Sequence, residues 1–400
     1  MNFNLKKSCS FFTLISVLYL YIYNPVFKFL GIGAIKFFWI PCLLYLVFKK
    51  NTIKYLNIFK LELFFIILLI FYVLFVTVMN NGNAYNVAYS HFLFIIECII
   101  IPIILSVFFK DLILRISINK SFIVTGFTAS LISIFLLIIP DLNLFVRQNI
   151  IIDDLDSADM GVLQYIRGFT ISGESSFGYG IVQGLIFGIS LFESKKSSKY
   201  FIPLFPLILS IMLNARVGFF MVIISLVLMV NKLNLKFVLF VVSIILIILF
   251  SFSMVSDDLL KSLEWSLTFF EESMGFLKGD SSDNSTYNVL SDYIVFPNTL
   301  SGLMFGLGQI KIGFGSDIGY VNHIFTGGII YLFFMLLILL LIFLRFINFG
   351  LPRILTILFI FSILVVNLKG PGLFASQTFL RLIMFYYVFF GINKYCKSII

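Results

Sequence analysis

Four hundred residues at 60% hydrophobic and 12% charged, with a mean hydropathy of +1.09, exclude a water-soluble globule, which carries about 25% charged residues. The net charge of +9 is spread over short polar breaks between apolar runs, so it reads as membrane topology and excludes nucleic-acid binding. Two His and four scattered Cys (Cys9, Cys42, Cys98, Cys396) offer neither a metal-ligand pattern nor a disulfide framework.

In chain order, Met1–Ser10 is a short basic lead, and the run from Phe11 has no small-residue cleavage site after it. It reads as a first span. Apolar runs of about 15–25 residues fall at 11–23, 34–48, 62–79, 90–109, 121–139, 177–192, 200–214, 217–230, 237–254, 319–344, 354–368 and 378–393. Runs such as Leu63–Met79 are apolar all round, which makes them helices and excludes the alternation of a barrel. The prediction is an all-α polytopic membrane bundle of about 12 transmembrane helices, a single domain over 1–400.

Alternate breaks hold 18 of the 28 basic residues, from Lys6 and Lys7 to Lys394 and Lys397, and that side is predicted to be cytoplasmic with both termini on it. The other face carries two long loops, 140–176 and 255–318, with 15 of the 19 acids. Long loops in a helical bundle are candidate functional parts.

The first loop holds Asp153, Asp154, Asp156 and Asp159, a solvated face without the ligand spacing of a calcium loop. It ends in RGFTISGESSFG, where Arg167 and Glu174 flank two glycines and Gly178 opens the next run. Gly and Ser at a helix entrance leave backbone N–H groups for a phosphate, with Arg beside them. The alternative is an entrance tied down by an Arg–Glu pair. Arg216 sits in LNARVGFF between two spans, and arginine at membrane depth is a functional candidate or a snorkelling group. Glu97 is an isolated charge within the fourth run, whose plain reading is a pair with a basic residue elsewhere.

The second loop opens with an amphipathic helix near 257–274, where Leu260, Leu263, Leu267, Phe270 and Met274 recur at three- and four-residue steps. It closes on FGSDIGYVNHIFTGG. Asp317 and Tyr320 share a helical face there, while His323 lies about 120° away and could equally pack inside the bundle. A partly desolvated carboxylate suits a general base, and an N-cap is the other reading of Asp317. The last outer loop adds Lys369 and Arg381. Four cations (Arg167, Arg216, Lys369, Arg381) and two carboxylates (Glu174, Asp317) on one face suit a lipid-linked phosphosugar.

At Arg167–Gly178, at NARVGFF and at FGSDIGYVNHIFTGGIIYLF the chain resembles the O-antigen polymerase family, which joins lipid-linked repeat units at the periplasmic face of the bacterial inner membrane. The last segment also resembles the closing element of O-antigen ligases, in which a catalytic His stands where Asp317 stands here, about eleven residues before Gly328. That difference favours a polymerase over a ligase. Residues 255–318 contain Lys261, Lys278 and Lys311 but no Arg, a departure from the family's paired Arg-bearing loops.

The resemblance implies transfer of a glycan from undecaprenyl diphosphate to a second lipid-linked unit, without cofactor or metal. Its implied partners are membrane lipids, a chain-length regulator and a flippase. Asp317 and Glu174 are the expected catalytic residues. Arg167, Arg216, Tyr320, His323, Lys369, Arg381 and Gly178 are expected to bind substrate. A flippase of lipid-linked sugars is the competing class, because it too commonly has twelve spans.

Overall fold

The computed structural model describes residues 5–151, 169–174, 178–214, 217–229, 294–310, 318–368, 370, 373–375 and 377–399. The predicted amphipathic helix near 257–274 lies outside the described residues, as do Arg167, Arg216, Asp317 and Lys369. Among the described residues the chain is mostly helical. Four helices are long and apolar enough to cross a membrane: Thr52–Met79, Tyr85–Phe108, Ile118–Ile138 and Gly319–Phe349. Five shorter apolar helices accompany them. Large side chains such as Phe64, Phe71 and Phe75 stand exposed along one helix, a surface that lipid tolerates and water does not.

The chain divides into two compact units, Met1–Phe38 with Phe109–Phe270, and Trp39–Phe108 with Glu271–Ile400. In sequence the two units alternate, each being built from two separate stretches of chain.

Unit 1 begins with α1 (Leu5–Tyr23) and three two-residue strands, β1 (Val26–Phe27), β2 (Ile32–Gly33) and, much later, β3 (Ile150–Ile151). They form an antiparallel sheet in the order β2-β1-β3, with Val26 opposite both Gly33 and Ile151. Its remaining helices are α7 (Lys110–Ile116), α8 (Ile118–Ile138), α9 (Pro140–Asn149), α10 (Gly178–Ser194), α11 (Leu204–Asn214) and α12 (Gly218–Met229). The region expected to be the first long loop therefore starts as helix. Pro140 at its first turn fits the fixed φ of a helix N-terminus, and β3 then closes the sheet.

Helix α10 is the centre of unit 1. Every residue from Gly178 to Leu191 is buried, against α8, α11 and α12. Glycine makes that possible. A Cβ on Gly218 would stand 2.4 Å from the Gly180 carbonyl oxygen, and one on Gly184 would stand 2.6 Å from that of Gly218. Small residues at the crossing let two apolar helices approach backbone to backbone.

Unit 2 comprises α2 (Trp39–Phe48), α3 (Lys50–Leu56), α4 (Lys60–Met79), α5 (Tyr85–Phe94), a π-helical segment Ile95–Ile100, α6 (Ile101–Phe108), α13 (Leu300–Phe305), α14 (Gly319–Phe349), α15 (Arg353–Val366) and α16 (Thr378–Ile399). Its centre is α16, buried from Thr378 to Phe389 and packed on α6, the π-helical segment and α14.

Helix α14 is broken at Gly328, whose φ of 75° and ψ of −175° are non-helical. Only glycine adopts that conformation without strain, and a Cβ there would stand 2.2 Å from the Met304 carbonyl oxygen. A break inside an apolar helix frees carbonyls that must find donors. They do. Leu307 N–H donates to Phe325 O (2.8 Å), Gly308 N–H to Thr326 O (3.1 Å), and the Tyr72 hydroxyl to Gly327 O (3.0 Å). The segment after α13 thus acts as a short backbone splint on the break. Beyond it, residues 329–349 alone are about 30 Å long, the thickness of a bilayer's hydrocarbon core.

Candidate functional site

Each unit encloses a buried polar cluster, and the two differ in chemistry. In unit 1 the residues 169–174, within the expected phosphate-binding motif, run beside the end of α1. Gly173 N–H and the Ser172 hydroxyl both donate to Tyr23 O (3.0 Å each), and Tyr19 OH donates to Ile171 O (3.1 Å). A Cβ on Gly173 would stand 2.5 Å from the Asn24 carbonyl oxygen. Gly173 is therefore needed for close approach, and its N–H is held by the protein itself. Glu174 is half-buried; its carbonyl accepts from Tyr179 N–H at 3.0 Å, while Gly178 is buried as the first residue of α10.

From this entrance a row of uncharged polar groups runs between α8, α10 and α11. Tyr179 OH donates to Ala129 O (3.1 Å) and pairs with the Ser133 hydroxyl (2.8 Å). Ser133 Oγ accepts from Asn214 Nδ2 (3.3 Å), and Ser130 Oγ lies 3.2 Å from Ser210 Oγ. Tyr179 follows the Arg167–Gly178 motif, and Asn214 precedes Arg216. The described flanks of both cations also share one apolar cluster, which contains Phe169 and Leu213. The described flanks of the two motifs therefore meet in unit 1, and Ser133 of α8 bridges Tyr179 and Asn214 by two hydrogen bonds.

The cluster of unit 2 is ionisable. His91, on α5, is 1% exposed. Its Nδ1 lies 2.9 Å from Phe374 O, and its Nε2 meets the Tyr331 hydroxyl. A carbonyl only accepts, so Nδ1 carries the proton, Nε2 accepts, and Tyr331 donates. His323 Nε2 lies 3.2 Å from Asn367 Oδ1, and its ring centroid is 5.9 Å from that of Tyr331. Tyr331 sits one turn past the break at Gly328 and stacks on Tyr72, the residue that caps the break. Arg381, fully buried near the start of α16, lies 4.0 Å from the Glu97 carboxylate and donates to Thr378 Oγ1 at 3.3 Å. Glu97 belongs to the π-helical segment, a distortion that often marks functional positions.

Of the expected site residues, Glu174 and Gly178 belong to unit 1, and Tyr320, His323 and Arg381 to unit 2. Tyr320 donates to Leu364 O (2.9 Å) and His323 packs inside the bundle, so they leave α14 in different directions. Glu97 takes its plain reading, an ion pair with Arg381.

The sequence reading missed His91, Tyr331, Tyr179, Gln183 and Asn214. Part of the signal was there. Ser130 and Ser133, Tyr179 and Gln183, and Ser210 and Asn214 are spaced three or four apart, each pair on one helix face of an apolar run. No protein-family model, curated protein or solved structure matches this chain.

Proposed function

We propose that this chain is a membrane glycosyltransferase of the O-antigen polymerase type, with twelve spans, both termini cytoplasmic and its long loops on the periplasmic side of a bacterial inner membrane. The glycan on one undecaprenyl diphosphate passes to a hydroxyl of the non-reducing end sugar on a second lipid-linked unit. The bond from the donor sugar's anomeric carbon to the diphosphate breaks, a new bond to the acceptor oxygen forms, and undecaprenyl diphosphate leaves. Arg167 and Arg216 offset the charge that develops on the leaving group. Asp317 takes the acceptor proton, with Glu174 and Tyr320 placing sugars.

The observation that supports this reading best is the meeting of the two motifs' described flanks in unit 1, where Tyr179, Ser133 and Asn214 form one hydrogen-bonded chain. Cations that are far apart in sequence serve one diphosphate only if their segments converge.

A second reading, a flippase of lipid-linked sugars, draws on unit 2. A helix broken at Gly328 and buried ionisable groups such as Glu97 and Arg381 are features of transporters. The lipopolysaccharide ladder of a strain lacking this gene separates the two. A single repeat unit on the core supports the polymerase. Core without any repeat unit transfers the chain to export or ligation.

A further inference from the structure

Four side-chain polar atoms of unit 1 have no hydrogen-bond partner among the described residues: Tyr23 OH, Thr170 Oγ1, Gln183 Nε2 and Asn214 Oδ1. None of the four residues is more than 1% exposed. They come from the end of α1, the segment 169–174, α10 and the end of α11, and all gather on Tyr179. The Tyr23 ring centroid is 5.5 Å from that of Tyr179. Gln183 is one turn along the same helix, and Asn214 is joined to Tyr179 through Ser133. Thr170 and Gln183 are both within electrostatic reach of the Tyr179 hydroxyl, with no hydrogen bond of ordinary geometry from Thr170 Oγ1 or Gln183 Nε2 to it. Protein interiors leave few such groups unmet, and several around one hydroxyl call for a shared explanation.

The chemistry of the four atoms defines what they accept. A phenol and an alcohol both donate and accept, an amide nitrogen donates, and an amide oxygen accepts. None of the four is charged, so none of them offers an ion a counter-charge for its lost hydration. An apolar group would leave all four as they are. A hydroxyl, which donates and accepts, fits.

We propose that unit 1 holds a buried, uncharged site around Tyr179 that binds hydroxyl groups. Two sources supply that chemistry, ordered water and the hydroxyls of a glycan. The glycan source rests on the polymerase reading, because Thr170 and Asn214 are near neighbours in sequence of Arg167 and Arg216. The water source does not.

The test uses the full chain purified into lipid nanodiscs and radiolytic hydroxyl labelling read by mass spectrometry. A buried side chain is labelled quickly only where water is held against it. Tyr23 and Tyr179 label faster than Tyr21 and Tyr386, which are equally buried. Galactose or glucose is then titrated in. Protection of Tyr179 that is lost in Asn214→Leu assigns the site to sugar hydroxyls, and labelling unmoved by either sugar assigns it to water. Labelling of Tyr23 and Tyr179 as slow as the controls, with and without sugar, overturns the proposal.

Melting of Tyr23→Phe and Thr170→Val gives an independent sign. Removing a hydroxyl that holds a ligand lowers the midpoint by about 2 °C. Removing one that holds nothing raises it, and a rise in both variants also overturns the proposal. A deletion strain whose ladder refutes the polymerase leaves the water assignment standing, so the two failures are distinguishable.

Discussion

Arg345 holds both carboxylate oxygens of Glu62 through one terminal nitrogen, at 2.5 and 2.6 Å, and its other terminal nitrogen donates to Ile58 O at 2.7 Å. The Tyr387 hydroxyl donates to the same carboxylate. Three helices, α4, α14 and α16, are thereby pinned at one point. Removing one partner of a buried pair leaves a charge without compensation and costs about 3–5 kcal/mol. Glu62→Leu is therefore expected to lower the yield of monodisperse protein in detergent. The double replacement Glu62→Leu with Arg345→Met recovers a large part of it, because no buried charge remains. Equal losses in the single and the double variant, read by fluorescence-detected size exclusion, would count against the pinning.

Gly328 and Gly350 make a matched pair. Both have positive φ, 75° and 89°, but a Cβ meets Met304 O at 2.2 Å in the first and nothing within 4 Å in the second. Gly350→Ala then costs only its backbone strain, about 1–2 kcal/mol. Gly328→Ala adds a clash that displaces the splint, and its loss of thermal stability is expected to exceed that of Gly350→Ala by a clear margin. Comparable melting of the two variants would mean that α14 runs straight.

The start of α14 is readable in GYVNH, and its apolar length is plain. The break is not. Gly327–Gly328 within an apolar run suits close helix packing as well as a kink, and what decides is a donor set on Leu307, Gly308 and Tyr72 that local pattern cannot reveal. Glu97 and Arg381 were each visible as costly charges, but their pairing joins distant helices. The opposite holds for the Arg167–Gly178 motif. Its residue types suggest backbone N–H groups free for a phosphate, yet the Gly173 N–H is taken by Tyr23 O, a contact with the end of α1 that local pattern does not carry.

Glu97 and Arg381 should behave as one unit. Arg381→Ala or Glu97→Ala alone leaves a buried charge, and about 3–5 kcal/mol is lost. Combined, the two changes cost less than the sum of the singles, a coupling that a double-mutant cycle of melting temperatures measures. Simple additivity would show that the 4.0 Å approach does not contribute.

Gly173→Ala places a methyl group 2.5 Å from Asn24 O and shifts the segment that follows Arg167, while α10 stays packed. Polymer length should fall with protein level held. A normal ladder from this variant would separate the segment from function.

The order of synthesis gives the two buried acids of unit 2 a waiting time. Glu62 emerges 283 positions before Arg345 and 325 before Tyr387. Glu97 likewise precedes Arg381, and the Phe109–Phe270 part of unit 1 is made in between. At ribosomal rates that gap lasts about 15–60 s. During it both carboxylates sit in apolar helices without their cations. Unit 2 finishes last, and a ribosome that stalls before α14 leaves behind a half-built bundle marked by two stranded acids.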